Sequence, residues 1–198
     1  MEKTSLILND QDVQKCISMT EIFKTVEEVF KAHGENKIIM PPKKTLDMKG
    51  AGYDSWINSM PCYVGPVDGA GIKWAGGFIN NAEKGLPYVM ATIILNDPDT
   101  GYVLAVMDGA FISNVRTGGA AAVAAKYTAK DDSGVVNFIG AGMQARMTLY
   151  ALVNMYEIKE VRAVDINPKA SEDFKRDMEE ELNVNITVVE SNQKAVEG

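Results

Sequence analysis

The stretch Val135-Val136-Asn137-Phe138-Ile139-Gly140-Ala141-Gly142-Met143-Gln144-Ala145 decides the fold of this chain. Its first five residues predict a buried strand, and the residues after the glycines predict a helix. The turn between them has the spacing G-x-G-x-x-A. Gly140 permits a tight turn, Gly142 lets the backbone approach a pyrophosphate, and Ala145 allows close packing of helix on strand. The stretch therefore predicts a nucleotide-binding unit whose helix N-terminus binds an anion.

An acidic residue supports this interpretation. Asp165 follows Ala145 by 20 residues, at the end of the next predicted strand. A carboxylate there accepts hydrogen bonds from the adenosine ribose hydroxyls and repels a 2′-phosphate, so we expect NAD and regard NADP as the less favoured cofactor. A helix cap or a surface acid is the alternative role for Asp165. The candidate cofactor-binding residues of this part of the chain are Gly140, Ala141, Gly142, Met143, Gln144, Ala145, Asp165, Ile166 and Asn167.

The C-terminal part of the sequence alternates between strand and helix patterns. Strands are predicted at 135–139, 161–164 and 185–189, and helices at 143–156 and 168–182. This βαβαβ order predicts a parallel sheet with helices on its faces. A doubly wound nucleotide domain usually has two such halves. We therefore expect only the first half here, in either a fragment of a longer protein or a truncated gene product, incomplete for catalysis.

The part before this unit has a different character. Two helices are predicted in its first third, strands and turns from Met40 to about Asp108, and an alanine-rich helix at 117–129. A polar turn at 130–134 predicts the boundary between a domain at 1–130 and a nucleotide-binding domain at 131–198. The fold class is therefore α/β: a mixed α+β domain that binds substrate and dimerises, followed by a Rossmann-type doubly wound parallel sheet, apparently truncated.

Apolar strands suggest both burial and assembly. Tyr88–Leu95 is almost continuously apolar, which predicts a strand buried on both faces. The turn at 96–101 then predicts an antiparallel hairpin with a strand at 102–107. The strand-rich segment from Met40 to Met107 has more apolar side chains than one small exposed sheet can leave uncovered, so we expect a homodimer formed through this domain. The residues that need cover are Val89, Ile93, Leu95, Val103 and Leu104.

Composition excludes several classes of function. The net charge is −7 and only four of the 20 basic residues are arginine, so a nucleic-acid partner is not expected. There is no run of 18 apolar residues and no signal-peptide core, so we expect no membrane contact and a cytoplasmic location. The two cysteines form no metal or disulfide pattern. The single histidine, His33, lies on the apolar side of a predicted helix, where we expect packing; no metal site is expected.

Two cations in the first domain stand out as candidates for binding substrate. Lys73 interrupts an apolar strand at 71–75, where a lysine is costly to bury without a partner. It either faces solvent on an edge strand or holds a carboxylate in a cleft. Arg116 directly precedes the predicted alanine-rich helix, with a surface salt bridge as the alternative role. We expect Lys73 and Arg116 to converge on one substrate carboxylate, because two cations in a cleft repel each other unless an anion lies between them.

Four stretches of the chain together are similar to one enzyme family. They are Met60-Pro61 followed by Lys73 in a strand, the segment 103–109, Arg116-Thr117 before the alanine-rich helix, and the glycine turn at 140–145. In this order and spacing they resemble the ornithine cyclodeaminase/μ-crystallin family of nicotinamide-dependent enzymes. The resemblance implies an N-terminal domain for substrate binding and dimerisation, a Rossmann domain after it, and hydride transfer on small amino acids or cyclic imines.

The resemblance also implies roles for individual residues. Lys73 corresponds to the family's active-site lysine, which contacts the substrate carboxylate and assists proton movement. Arg116 corresponds to an arginine that binds the same carboxylate, and Thr117 to a contact with the cofactor phosphate. Lys44 stands where many members have an arginine, so bidentate carboxylate binding is lost at that position.

The activity implied by the resemblance is that of an ornithine cyclodeaminase, which converts L-ornithine to L-proline and ammonia with NAD. An alanine dehydrogenase or a ketimine reductase of the same family is the alternative, as is a non-catalytic NAD(P)-binding protein. Ornithine cyclodeaminases proper have a glutamate just before the Met-Pro pair. Residues 57–59 of this chain contain no acid, which favours the dehydrogenase or reductase.

Overall fold

The computed structural model describes residues 4–197 of the chain. Its contacts divide the chain into two compact units. The first consists of the residues up to 18 together with 28–113, and the second of 19–27 together with the residues from 114 onwards. Among the described helices, none is long and apolar enough to cross a membrane. The predicted boundary between a substrate domain and a nucleotide domain at 130 and 131 stays a prediction.

The first unit is built on one mixed sheet of seven strands. Its strands are β1 (Leu6–Leu8), β2 (Ile38–Ile39), β3 (Lys44–Asp47), β4 (Ser55–Val64), β5 (Gly69–Phe78), β6 (Val89–Asn96) and β7 (Val103–Asp108). They lie in the order β1-β7-β6-β5-β4-β2, and β3 also pairs with β4. Only β1 and β7 are parallel to each other; the other described pairs are antiparallel. The predicted hairpin of β6 and β7 is confirmed.

Three helices contribute to the first unit. They are α1 (Asp10–Lys15), α2 (Met19–Gly34) and α3 (Ala110–Thr128), and the last two also contribute residues to the second unit. Asn9 begins α1 through a capping box, in which its side chain accepts from the Asp12 amide and the Asp12 carboxylate accepts from the Asn9 amide. His33 is exposed on α2, so the prediction that it packs in the core is wrong. At this end of α2 the residue that faces inward is Ala32, which is buried, and His33 beside it points outward.

The helix predicted at 117–129 begins seven residues earlier, at Ala110. The carboxylate of Asp108 accepts a hydrogen bond from the Ala110 amide at 2.8 Å, which satisfies one of the free donors at the helix start. Arg116 therefore lies inside α3. The alanine-rich composition had suggested that it directly precedes the helix, and that prediction is wrong. The start was missed because Asp108 ends a strand and caps a helix at the same time.

The two faces of the large sheet differ in burial. Ala75, Ala91 and Ala105 face the covered side and are each less than 9% exposed. Trp74 and Met90 face the other side and are 47% and 42% exposed. The prediction that the strand at Tyr88–Leu95 is buried on both faces is therefore wrong within this chain. Its apolar residues alternate between a covered and an open face, and composition alone does not distinguish the two cases.

The second unit contains the alternating pattern that the sequence predicts. Its elements are β8 (Val135–Ile139), α4 (Met143–Val153), β9 (Glu160–Val164), α5 (Pro168–Leu182), β10 (Ile186–Val188) and α6 (Asn192–Val196). The three strands are parallel in the order β10-β9-β8. The predicted βαβαβ unit and the α/β fold class are confirmed. The core of this unit includes the fully buried residues Leu149, Val161, Ala163, Phe174 and Ile186.

One detail of this unit differs from the prediction. The strand β8 is not buried: Val135 and Ile139 are 47% and 59% exposed. Within the described residues, β8 pairs with β9 on one side only, so its outer edge is open. Its exposed side chains alternate along the strand, so one of its faces is uncovered as well.

A close approach of two helices in the second unit depends on Gly118. A Cβ atom at this position of α3 would lie 2.4 Å from the backbone oxygen of Met147 in α4. Backbone atoms cannot move aside as the end of a side chain can, so the two helices would have to separate.

We expect Gly118→Ala to lower the free energy of unfolding by about 1–3 kcal/mol, the usual cost of overpacking. Thermal and urea unfolding measure this change. The control is Gly34→Ala at the end of α2, where an added Cβ meets nothing within 4 Å. Equal stabilities of the two variants would contradict the assigned close approach.

Candidate functional site

The glycine turn of the second unit has the geometry that its sequence predicts. Gly140 has φ of +100°, a conformation that residues with a side chain rarely adopt. Its amide donates to the Val164 carbonyl at 2.7 Å, which fixes the turn to the end of β9. Ala145, five residues on, is buried in the core of this unit, as expected of a residue that lets helix α4 pack close to the sheet.

Gly142 precedes the first residue of α4 and leaves space beside the helix N-terminus. An added Cβ at Gly142 would meet no atom within 4 Å, and its backbone is extended with φ of −81°. Glycine has no side chain that could accept from the first amides of α4. These amides and the positive end of the helix dipole therefore suit an anion such as a pyrophosphate.

Asp165 lies beside this turn, directly after β9. One carboxylate oxygen accepts from the Ala141 amide at 2.8 Å, and the other accepts from the Asn167 amide at 2.8 Å. These two backbone hydrogen bonds lower the pKa of Asp165, because they stabilise its charged form. The group is therefore an ionised acceptor at neutral pH. Each oxygen keeps lone-pair capacity for a further donor, such as a ribose hydroxyl.

The other candidate cofactor residues near Asp165 differ in exposure and in hydrogen bonding. Ile166 is fully exposed, and Met143 on α4 is 52% exposed. The Asn167 side chain accepts from the Lys169 amide and caps α5, which is a structural role. The Lys169 ammonium pairs with Asp173 at 3.0 Å and so is engaged within its own helix. Binding of cofactor by Ile166, Asn167 and Met143 stays a prediction.

Residues of α3 in the second unit extend the surroundings of the turn. The Gln144 side-chain amide donates to the Asn114 side chain at 3.0 Å. Partial burial lowers the pKa of Arg116, although the residue as a whole is exposed. An arginine starts from so high a pKa that it remains charged. Thr117 is partly buried. The predicted roles of Gln144, Arg116 and Thr117 toward a ligand stay predictions.

Lys73 lies in the middle of the sheet of the first unit. Its strand, β5, is flanked by β4 and β6, so the alternative of an exposed edge strand is wrong. The register places Lys73 opposite Met60 and Ile93, on the covered face that carries Ala75. Its ammonium donates to the Ser113 hydroxyl at 3.3 Å. This geometry suits a cation that is held for a ligand rather than solvated.

Asn58 shares that covered face. It is 6% exposed, lies opposite Ala75 on β4, and accepts a hydrogen bond from the Thr45 hydroxyl at 2.7 Å. From the sequence, Asn58 was considered only within residues 57–59, which contain no acid, and Ser113 was not predicted. Two signals in the sequence could have found them. Asn58 alternates with Met60 along the strand, and Ser113 lies one helical turn before Arg116.

Lys44 lies on the opposite face from Lys73. It is exposed at the start of β3 and pairs with Ser59, which faces the same side of the sheet as Trp74. The register therefore does not bring Lys44 and Lys73 together on one face. Lys73 and Arg116 belong to different units, and their convergence on one carboxylate stays a prediction.

Comparison with known proteins identifies relatives over most of the chain. A model of the ornithine cyclodeaminase/mu-crystallin family matches residues 3–198. An alanine dehydrogenase from Archaeoglobus fulgidus is 42% identical over 170 residues, which are 86% of this chain and 51% of that protein. The chain thus spans about half the length of this curated relative.

Solved structures agree with this assignment. A Δ(1)-pyrroline-2-carboxylate reductase from Thermococcus litoralis, in complex with NADH and L-proline, matches with a TM-score of 0.92 and 38% identity over 97% of this chain and 59% of that chain. An archaeal alanine dehydrogenase dimer with bound NAD matches with a TM-score of 0.89 and 39% identity over 96% of this chain and 57% of that chain. The chain belongs to the ornithine cyclodeaminase/mu-crystallin family.

Proposed function

We propose that this chain provides the substrate-binding and dinucleotide-binding parts of an NAD-dependent oxidoreductase that interconverts a small amino acid and its imine. The observation that carries the proposal is Lys73, a cation on the covered face of a sheet, held by a hydroxyl. The similar proteins support it: alanine and proline both have an α-carboxylate, and two solved relatives hold NAD or NADH.

The cofactor supplies the acceptor or donor of a hydride. The amides at the start of α4 bind its pyrophosphate, and Gly142 leaves the space that this close approach needs. The Asp165 carboxylate accepts from the ribose hydroxyls and repels a 2′-phosphate. Asp165 therefore selects NAD over NADP.

Lys73 binds the substrate carboxylate and so fixes the Cα atom for hydride transfer. Arg116 binds the same carboxylate from α3, and Thr117 contacts a cofactor phosphate. Lys44 lies on the opposite face of the sheet from Lys73 and is therefore not included in this site. Lys73 can also donate a proton as an ammonium when the imine is reduced, and accept it back as a neutral amine when the imine forms.

An amino acid dehydrogenase or imine reductase is the first candidate, because Asn58 stands on the Lys73 face where a carboxylate would be needed to bind a second amine. Asn58 is neutral and its carboxamide oxygen already accepts from Thr45, so it would bind an ammonium more weakly than a carboxylate would. Ornithine cyclodeaminase activity, which gives proline and ammonia, is the second candidate and is favoured by family membership. An NAD(P)-binding protein without turnover is the remaining outcome.

Two glycine substitutions test the dinucleotide site. Gly142→Ala should leave stability unchanged and weaken NADH binding about tenfold or more, because the new methyl group occupies the space for the pyrophosphate. Gly140→Ala should lower the free energy of unfolding by about 1–3 kcal/mol, because of its positive φ. NADH fluorescence titration and thermal unfolding measure the two effects. Unchanged NADH binding by Gly142→Ala would place the cofactor elsewhere.

A second test concerns the choice of cofactor. The unaltered protein should bind NAD more tightly than NADP, and Asp165→Ser should reduce or reverse this preference, because a like charge no longer repels the 2′-phosphate. Dissociation constants for both cofactors, measured by calorimetry, give the result. Glu172→Ser, which removes an exposed carboxylate from α5, is the control. Tighter binding of NADP by the unaltered protein would refute the assignment.

The third test concerns substrate and turnover. NADH formation or consumption is followed with alanine, ornithine and cyclic imines on the protein that contains this chain. Lys73→Ala should reduce turnover about 10²–10⁴-fold while NADH binding stays unchanged. Arg116→Ala should raise KM about tenfold to a hundredfold, because a charge-assisted hydrogen bond to the carboxylate is lost. The exposed Lys43→Ala is the control, and full turnover by Lys73→Ala would contradict the proposed function.

The open face of the large sheet supports a homodimer. By the strand register, the apolar residues on this face include Ile7, Trp74 and Met90, which are 75%, 47% and 42% exposed, together with Ile72, Ile94 and Val106. Of the residues expected to need cover, Leu104 is 39% exposed, whereas Leu95, which is 37% exposed, pairs with Ala105 and lies on the covered face. A second copy of the chain would remove this apolar surface from water.

Trp74→Glu should convert the dimer to a monomer in light scattering at micromolar concentration, because a charge would be buried in the apolar interface. The control is Tyr53→Glu, which changes an exposed aromatic residue outside the strands. This interface would be refuted if the unaltered protein is monomeric or if the Trp74→Glu variant remains dimeric.

A further inference from the structure

The Lys73 ammonium contacts a side chain, Ser113, to which neither the proposed function nor the sequence motifs give a role. Ser113 accepts a hydrogen bond from Lys73 Nζ at 3.3 Å across 40 residues of sequence. Ser113 is 7% exposed, so this contact is sheltered from water. Both residues belong to the first unit. A sheltered hydroxyl beside an ammonium restricts the directions that the ammonium can take.

The position of Ser113 is fixed by the first turn of α3. Asp108 accepts from the Ala110 amide, and the Ser113 amide donates to the Gly109 carbonyl at 2.9 Å. A Cβ at Gly109 would lie 3.1–3.3 Å from atoms of Ile93 and Ala91, so glycine lets this turn lie against the covered face of β6. The helix therefore presents the Ser113 hydroxyl from a fixed backbone position.

We propose that Ser113 is a positioning residue for Lys73: its hydroxyl holds the ammonium in the direction from which it binds the substrate carboxylate. The proposal rests on the proposed function in giving Lys73 that role. A free lysine side chain has four rotatable bonds, and ordering it costs up to about 2 kcal/mol. A hydroxyl that orders the side chain beforehand removes part of this cost from substrate binding.

Two nearly isosteric variants separate the hydroxyl from the shape of the side chain. Ser113→Thr keeps the hydroxyl, whereas Ser113→Val replaces it with a methyl group of similar size. Ser113→Val should raise KM about two- to tenfold relative to Ser113→Thr, the effect of losing one hydrogen bond, with kcat changing less. Since both variants add the same bulk, thermal unfolding should be similar for the two.

A second measurement does not depend on turnover. Lys73 is modified with trinitrobenzenesulfonate, and the rate is measured by peptide mass spectrometry with the exposed Lys43 as internal reference. The amine of Lys73 should react faster in Ser113→Val than in Ser113→Thr, because the hydrogen bond no longer restricts it. If Ser113→Val does not fold, Ser113→Ala is compared with the unaltered protein in the same way.

The outcomes distinguish this inference from the proposed function. Equal modification rates of Lys73 in the threonine and valine variants would overturn the positioning role. A faster rate in Ser113→Val without a change in KM would support the contact but overturn the positioning role, whereas failure of the proposed function itself would appear as full turnover by Lys73→Ala. A faster rate together with a higher KM, both restored by threonine, supports both.

Discussion

An ammonium on the covered face of a β-sheet has to be hydrogen-bonded, and this requirement organises the first unit. Lys73 lies on a face that also carries the small residues Ala75 and Ala91. Because Gly109 has no side chain and its neighbour Ala91 has a small one, the first turn of α3 can lie close to the sheet, and Ser113 reaches the ammonium. The small size of these residues therefore contributes both to packing and to the placement of the Lys73 ammonium.

In the second unit a charged side chain is also held by hydrogen bonds, but the donors are backbone amides. The turn at Gly140 is joined to β9 through the Val164 carbonyl, and the Asp165 carboxylate accepts from the next amide of the turn. The acid thus stabilises the loop beside which it would bind a ribose. Under the proposed function the same carboxylate serves both the loop and the ribose, so a substitution at Asp165 is expected to change stability as well as binding.

Membership of the family leaves the reaction open, because its members act on related amino acids and imines by hydride transfer. The side chains around the substrate carry the difference. In this chain a buried amide, Asn58, is oriented by Thr45 on the same face as Lys73. A neutral amide there suits a substrate without a second amine, which is why the dehydrogenase or reductase is preferred to the cyclodeaminase.

The sequence by itself determined the features that depend on local chemistry. It predicted β8 at 135–139 and α5 at 168–182 with the bounds observed, the glycine turn, the β6–β7 hairpin, and Asp165 at the end of β9. Strand alternation, turn residues and helix caps act over a few residues, so they can be recognised without the rest of the chain.

Only the tertiary structure decided which surfaces are covered and which distant groups meet. The apolar strand around β6 proved open on one face, His33 proved exposed, and α3 began at Ala110. The contact of Lys73 with Ser113 joins residues 40 positions apart. Burial and such contacts depend on strand order and on how a helix crosses a sheet, which are long-range properties that local periodicity does not contain.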